Sequence, residues 1–275
     1  MGELSYLYHY TSIETLALIL KNKTIRFSSL SRVDDIEEQG TSDFGDLGRF
    51  CFVSCWTNET EESIPLWNLY TPNMTGVRIR LPISPFKTVV INPDGKHIKE
   101  SFVTHPSLTS EKLSVHGYLL NPPYLANLFQ VKYTDVRDKL NRKVLTAEKQ
   151  ETELENGSNR TGWGKTINLE NIGIYKNIQW EFQKEYRYRF IIVPWTMNDL
   201  ESAKSYEDQV RLIDRLETEE LKKDFFDLDL NEQSMNDLEI LIGPRANDAQ
   251  RQIVKSLVND LNPNAVIKES NLRIR

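Results

Sequence analysis

The stretch that most constrains this chain is residues 174–194, IYKNIQWEFQKEYRYRFIIVP. From Lys184 onward the residues alternate. Glu185, Arg187, Arg189 and Ile191 share one side of a strand, and Tyr186, Tyr188, Phe190 and Ile192 share the other. Pro194 marks the strand end, because it cannot donate to a ladder. The aromatic face can join a core directly. The Glu–Arg–Arg face cannot be buried unless its charges are paired, so it forms either a buried ion network or the wall of a polar cleft. Lys176, Trp180 and Gln183 lie just upstream and belong to the same candidate region.

The 275 residues are 39% apolar, enough for one large core or two modest ones. No run approaches 18 apolar residues, so no membrane span is expected. The opening MGELSYLYHYTS lacks the basic segment and apolar run of a signal peptide, and a cytoplasmic setting is the expectation. Cys51 and Cys55 are the only cysteines and the four histidines are scattered, so neither a disulfide framework nor a zinc pattern is present. A formal charge of -6 argues against broad nucleic-acid binding but leaves room for a local basic groove.

Tyr6–Tyr10 reads as an aromatic opening strand, followed by a helix from Ile13 to Leu20 capped by Thr11 or Ser12. Strands are expected at Thr24–Leu30, Cys51–Trp56, Gly76–Leu81, Val89–Ile91, Leu238–Ile242 and Ala265–Ile267. Ser63, Trp67 and Tyr70 fit one face of a short helix with Pro65 in its first turn, and Asn247 or Asp248 can cap a last helix to about Leu261. Residues 104–165 and 198–237 read as insertions, with Leu140–Leu154 helical, Glu155–Gly164 a polar loop, and the second insertion mostly helical. The scatter of strands favours a single α+β domain over 1–275 with a mixed or antiparallel central sheet and helical insertions. No phosphate-loop or dinucleotide fingerprint occurs.

The chain resembles the bacterial DUF2971 family over most of its length. The residues that carry this are YHYTSIETLALIL, Ser54-Cys55-Trp56, Glu62-Ser63, Trp67 with Tyr70, Gly76-Val77, then Lys176, Trp180, Glu185 and Arg187, and finally Leu241–Pro244. The family often has a carboxylate where this chain has Gln183. At greater distance the chain is similar to ADP-ribosyltransferases, and the opening His-Tyr-Thr followed by a helix resembles nucleic-acid ADP-ribosyltransferase toxins. That resemblance implies an ADP-ribosyltransferase-like fold and NAD as substrate. It implies Glu185, Gln183 and His9 as catalytic residues and contacts to the nucleotide from His9, Ser54 and Tyr70, to which the charge on their strands adds Arg78 and Arg187. It also implies a toxin or defence role, with a nucleic acid, a protein or water as acceptor.

An oxocarbenium-like transition state needs an ionised, oriented carboxylate nearby. Glu185 fits that role, with Arg187 either keeping it ionised or neutralising it in a structural pair. Arg189, Arg78, Arg80 and Lys176 are candidates to meet a diphosphate. The leading expectation is NAD-dependent ADP-ribosyl transfer or NAD hydrolysis, with His9, Ser54, Tyr70, Gln183 and Glu185 on one cleft. The alternative is a noncatalytic nucleotide- or nucleic-acid-binding protein with a groove lined by Arg78, Arg80, Arg187 and Arg189. A third reading, a metal-dependent phosphodiesterase, needs the carboxylates of Asp34–Glu38 gathered around a cation.

Overall fold

The opening strand covers Tyr6–Thr11, and Ser12 caps the helix Ile13–Asn22 that follows. The Ser12 hydroxyl accepts from the Thr15 N–H at 3.1 Å. The helix buries Leu16, Ile19 and Leu20 and stops at Lys23, which adopts the left-handed conformation at φ 54°. The chain then returns as strand Thr24–Ser29.

The structure is a computed structural model that describes residues 4–94, 98, 100–153 and 159–274, with the backbone alone described over 147–153 and 159–165. Ten of the described strands form one mixed sheet. Its main path runs Asn127–Gln130, Glu185–Val193, Cys51–Thr57, Tyr6–Thr11, Val77–Pro82, Glu239–Ile242 and Val266–Glu269. Neighbours on that path are antiparallel except the last pair, which is parallel. With helices set between strands, this is a single α+β domain. No helix among the described residues is long and apolar enough to cross a membrane.

Strand Glu185–Val193 carries the alternation expected of it. Tyr188 and Phe190 sit on the core side, where Phe190 lies 5.5 Å from Phe52, 5.4 Å from Phe27 and 5.7 Å from Phe226, centroid to centroid. Rings at these separations, one pair stacked, one tilted and one edge-on, add to the stabilisation from the area they bury. The strand pairs with Cys51–Thr57 from Glu185↔Thr57 to Ile191↔Cys51, which fixes the register of the two sequence-distant segments.

The other edge of Cys51–Thr57 is shared by two strands. Thr24–Ser29 pairs with its first half at Val53 and Phe52, and Tyr6–Thr11 pairs only at Thr57. The sheet therefore forks beside Ser54, Cys55 and Trp56. That fork positions the candidate site.

The insertions differ from the sequence expectation. Residues 145–153 form a strand paired with 159–167, not part of a helix over Leu140–Leu154; the helix there is only Arg137–Leu140. The segment LTAEKQETE has no apolar stripe at helical spacing, so a helix would have no face to bury. The polar loop expected over Glu155–Gly164 lies outside the described residues up to Ser158, and from Asn159 onward the chain is strand. Leu119–Asn121 and Asn127–Gln130 join the main sheet against Glu185–Val193. In the second insertion the helices Met197–Ser202 and Tyr206–Thr218 match the helical expectation. Phe225–Asp229 is instead a strand on Thr24–Ser29.

Gly76 sits against the Thr11 backbone and the Thr71 side chain. A Cβ there would lie 2.3 Å from the Thr11 carbonyl oxygen and 2.8 Å from Thr71 Cβ. Gly76→Ala should therefore lower the unfolding free energy by about 1–3 kcal/mol, as overpacking does elsewhere. Urea denaturation of the variant checks this; unchanged stability would contradict the close approach.

Candidate functional site

The charged face of Glu185–Val193 is buried. Arg187 is 0% exposed and Glu185 4%. The turns of residues 31–40 and the segment 173–183 cover it, and they bring partners that sequence proximity does not suggest. Arg187 Nε donates to Glu185 Oε1, and Nη2 donates to Glu185 Oε2 at 3.1 Å. Nη1 donates to Glu38 Oε2 and to the Gly173 carbonyl at 3.0 Å, and Nη2 also donates to Glu38 Oε1 at 3.0 Å. A guanidinium has five N–H donors, and all five are used. Lys176 Nζ completes the cluster, lying 3.2 Å from Glu185 Oε2 and 3.3 Å from Glu38 Oε1. Two carboxylates thus meet two cations with no net charge, the condition under which such burial is tolerable.

Gln183 connects this cluster to the cleft. Its Oε1 accepts from Lys176 Nζ at 2.7 Å and its Nε2 donates to the Tyr70 hydroxyl at 2.6 Å. Tyr70 in turn donates to Asp34 Oδ2 at 3.0 Å. The amide suits this position for two reasons. A carboxylate would put a third negative charge into a balanced cluster, and it would lose the donor that Tyr70 accepts. Helix Ile64–Tyr70, capped by Ser63 with Pro65 in its first turn, carries Tyr70 to this spot.

His9 projects into the fork. Its Nδ1 lies 2.8 Å from the Cys55 carbonyl oxygen. A carbonyl only accepts, so Nδ1 carries the proton and neutral Nε2 is left as an acceptor. Burial lowers the His9 pKa, against a smaller opposing effect of the Cys55 bond, so the ring is neutral at pH 7. The ring packs 5.1 Å from Trp56.

Two connected lobes result. One has aromatic and apolar walls from Tyr8, Tyr10, Trp56 and Leu66, with Gln183 in its lining. The other is lined by Arg26, Arg32, Ser54, Asp34 and Lys176. His9, Cys55, Tyr70 and Glu185 line both. His9, Ser54, Tyr70, Gln183 and Glu185 are therefore brought together, on three separated parts of the chain. The Ser54 hydroxyl is already used, accepting from Trp56 Nε1 at 2.9 Å.

The arginines chosen from the sequence do not form one groove. Arg78 lines neither lobe; it stacks 4.5 Å from the Tyr8 centroid and donates to the carbonyls of Thr60 and Glu61 at 3.0 and 3.3 Å. Arg80 covers Tyr6 and faces Asp237 and Glu239. Arg189 stacks on Phe129 and donates to the carbonyls of Glu170 and Ile172. Arg187 has no donor left for a phosphate. The carboxylates of Asp34–Glu38 are also dispersed: Asp34 meets Tyr70, Glu37 meets Asn177, and Glu38 meets Arg187 and Lys176. No metal-holding cluster occurs among the described residues.

Sequence reasoning missed Arg26 and Arg32 as cleft residues and Glu38 as the partner of Arg187. Arg26 alternates with Ile25 and Phe27 like any solvent-facing strand residue, so nothing local marks the strand as a cleft wall. Comparison with family models, curated proteins and solved structures finds no match to this chain.

Burial would raise the Glu185 carboxyl, but Arg187 and Lys176 outweigh it and bring it down to about 2 from an ordinary 4.5. A depressed folded-state pKa adds stability above the unfolded value, and that stability is lost as pH falls through the folded one. Acid unfolding should accordingly develop between pH 4.5 and about 2 and shift upward in Glu185→Gln, as followed by circular dichroism. Arg187→Met, which strands two buried carboxylates on Lys176 alone, should cost about 3–5 kcal/mol in urea denaturation. A loss under 1 kcal/mol, the scale of an exposed pair, would show that the cluster is not desolvated.

Proposed function

We propose that the forked cleft binds NAD and cleaves its nicotinamide N-glycosidic bond, either by ADP-ribosyl transfer or by hydrolysis. The observation that carries this reading is the convergence of His9, Tyr70, Gln183 and Glu185 on one cleft whose two lobes differ in chemistry. The aromatic lobe suits a nicotinamide ring and its ribose. The cationic lobe offers Arg26 and Arg32 to a diphosphate in place of Arg78 and Arg187. Both arginines now hold exposed ion pairs, with Asp227 at 3.0 Å and Asp224 at 2.7 Å. Pairs of that kind are worth about 0–1 kcal/mol, so exchanging a carboxylate for a phosphate costs little.

In the reaction the C1′–N bond breaks, its electron pair leaves with neutral nicotinamide, water or an acceptor hydroxyl or amine adds through its lone pair at C1′, and the proton it sheds is released to solvent. His9 Nε2, held neutral, accepts a hydrogen bond from a ribose hydroxyl. Glu185 is too weak a base at about 2 to take a proton, so its part is electrostatic, opposing the positive charge that develops on the ribose. Gln183 orients the ligand with Tyr70. One observation favours a second reading, nucleotide binding without turnover: Arg187 and Lys176 already neutralise Glu185.

Calorimetry with NAD and a nicotinamide-release assay separate these readings. Binding with release that is lost in Glu185→Gln and His9→Ala supports cleavage. Binding without release, across water, protein and nucleic-acid acceptors, supports the second reading. Absence of both ends the proposal. NAD affinity should be flat at and above pH 6.5 and weaken below it, since protonated His9 has no acceptor left. Tyr70→Phe, at a residue 36% exposed, should fold normally and weaken binding.

A further inference from the structure

The two-stranded parallel ribbon of Lys132–Thr134 and Tyr175–Asn177 has two different faces. Its register pairs Lys132 with Tyr175 and Tyr133 with Lys176. Side chains alternate along each strand, so Tyr133 and Lys176 share the inner face. There Lys176 joins the buried cluster, and the Tyr133 hydroxyl accepts from the Glu185 N–H at 2.8 Å. Lys132 and Tyr175 occupy the outer face, away from the cleft.

Three cations gather around Tyr175. Lys132 Nζ and Lys139 Nζ each lie 5.9 Å from the ring centroid, and the Arg142 guanidinium lies 5.3 Å from it. No two of these charges can be more than about 12 Å apart. Arg137 and Lys143 lie on the same segment, against only Asp135 and Asp138. None of the five cations forms an ion pair with any of the described residues, whereas Arg26, Arg32, Arg80, Arg211, Arg215 and Arg251 all do.

Arg142 supplies a second observation. Its Nη1 is buried with no hydrogen-bond partner, while Nη2 donates to the Lys139 carbonyl at 3.0 Å. Burial lowers its pKa, and Arg189 pushes the same way. Arg189 stands nearby with its guanidinium 5.1 Å from the Phe129 ring, and it also lacks an ion pair among the described residues. A chain of formal charge -6 thus concentrates unneutralised positive charge around the Tyr175 ring.

We propose that this face, centred on Lys132, Lys139, Arg142 and Tyr175, is a docking surface for single-stranded nucleic acid. A polyanion supplies several charges at once to the cations around Tyr175, and an unpaired strand also brings a flat base to that ring. An anionic membrane would supply the charge, but among the described residues Val136 is the one strongly exposed large apolar side chain of segment 132–143, too few for an anchor beside five cations. This surface does not depend on the reading of the cleft, since its residues line neither lobe.

The test is fluorescence anisotropy of a labelled single-stranded oligonucleotide of about 20 nucleotides, over a salt range of about 50–200 mM. The wild-type chain is compared with K132E/K139E, whose two lysines are exposed, and with K21E/K23E as an equally exposed control elsewhere. The expected result is salt-dependent binding that falls at least tenfold in K132E/K139E, with a log–log salt slope shallower by about 1.4, and no change in the control. Tyr175→Ala should weaken binding while leaving the salt slope in place, which separates stacking from charge. No binding by the wild type at low salt, or equal binding by K132E/K139E, would overturn the proposal. So would capture by phosphatidylserine vesicles with no response to the oligonucleotide. Calorimetry with NAD on K132E/K139E keeps this result apart from that of the cleft, because its cleft residues are untouched.

Discussion

The buried pairing of Arg187 with Glu185 and Glu38 is the interaction on which the rest of this structure depends. A guanidinium with no exposure must have every donor satisfied, and here Glu185 on its own strand, Glu38 from the 31–40 turns and the Gly173 carbonyl share the five. Two segments, residues 31–40 and 173–183, are thereby held against one strand face, and Lys176 from the second of them closes the charge balance. Such a cluster need not stabilise the fold more than apolar side chains of the same volume would. It does fix where the covering segments sit, because any other placement would leave a charge buried alone.

The cleft exists because one strand serves two neighbours. Cys51–Thr57 pairs fully with Glu185–Val193 on one edge, while its other edge passes from Thr24–Ser29 to Tyr6–Thr11. The fork leaves the middle of that edge without a strand, and His9 occupies the gap by donating to the Cys55 carbonyl. The bond that satisfies a backbone acceptor also sets the histidine tautomer. A site residue is thus oriented by the needs of the sheet.

Much of the fold was legible because local rules and tertiary packing agree. The alternation of 185–193, the Ser12 and Asn247 caps and the Pro65 position all carry their signal in adjacent residues, whereas Ser63, read as part of a helix face, is the cap before it. The hairpin from 145 was not legible. Its charged composition resembles that of an exposed helix, and only pairing across the hairpin decides between the two. The candidate site was legible for His9, Tyr70, Gln183 and Glu185, which belong to segments with several unusual residues together. Arg26 and Arg32 gave no such signal, and Arg78 gave a misleading one, because a strand arginine looks the same in sequence whether it faces a ligand or two tyrosines.

What the sequence determined by itself was that Glu185 and Arg187 share a strand face and cannot be buried without partners, since side-chain period and desolvation cost are local facts. Only the tertiary structure decided who those partners are. Glu38 lies 149 residues from Arg187, and no local rule reaches that distance. The tertiary structure likewise decided that Tyr133 and Lys176 face inward while Lys132 and Tyr175 face out. That choice follows from which side of the ribbon must meet the buried carboxylates, a constraint that arises only once the sheet is assembled.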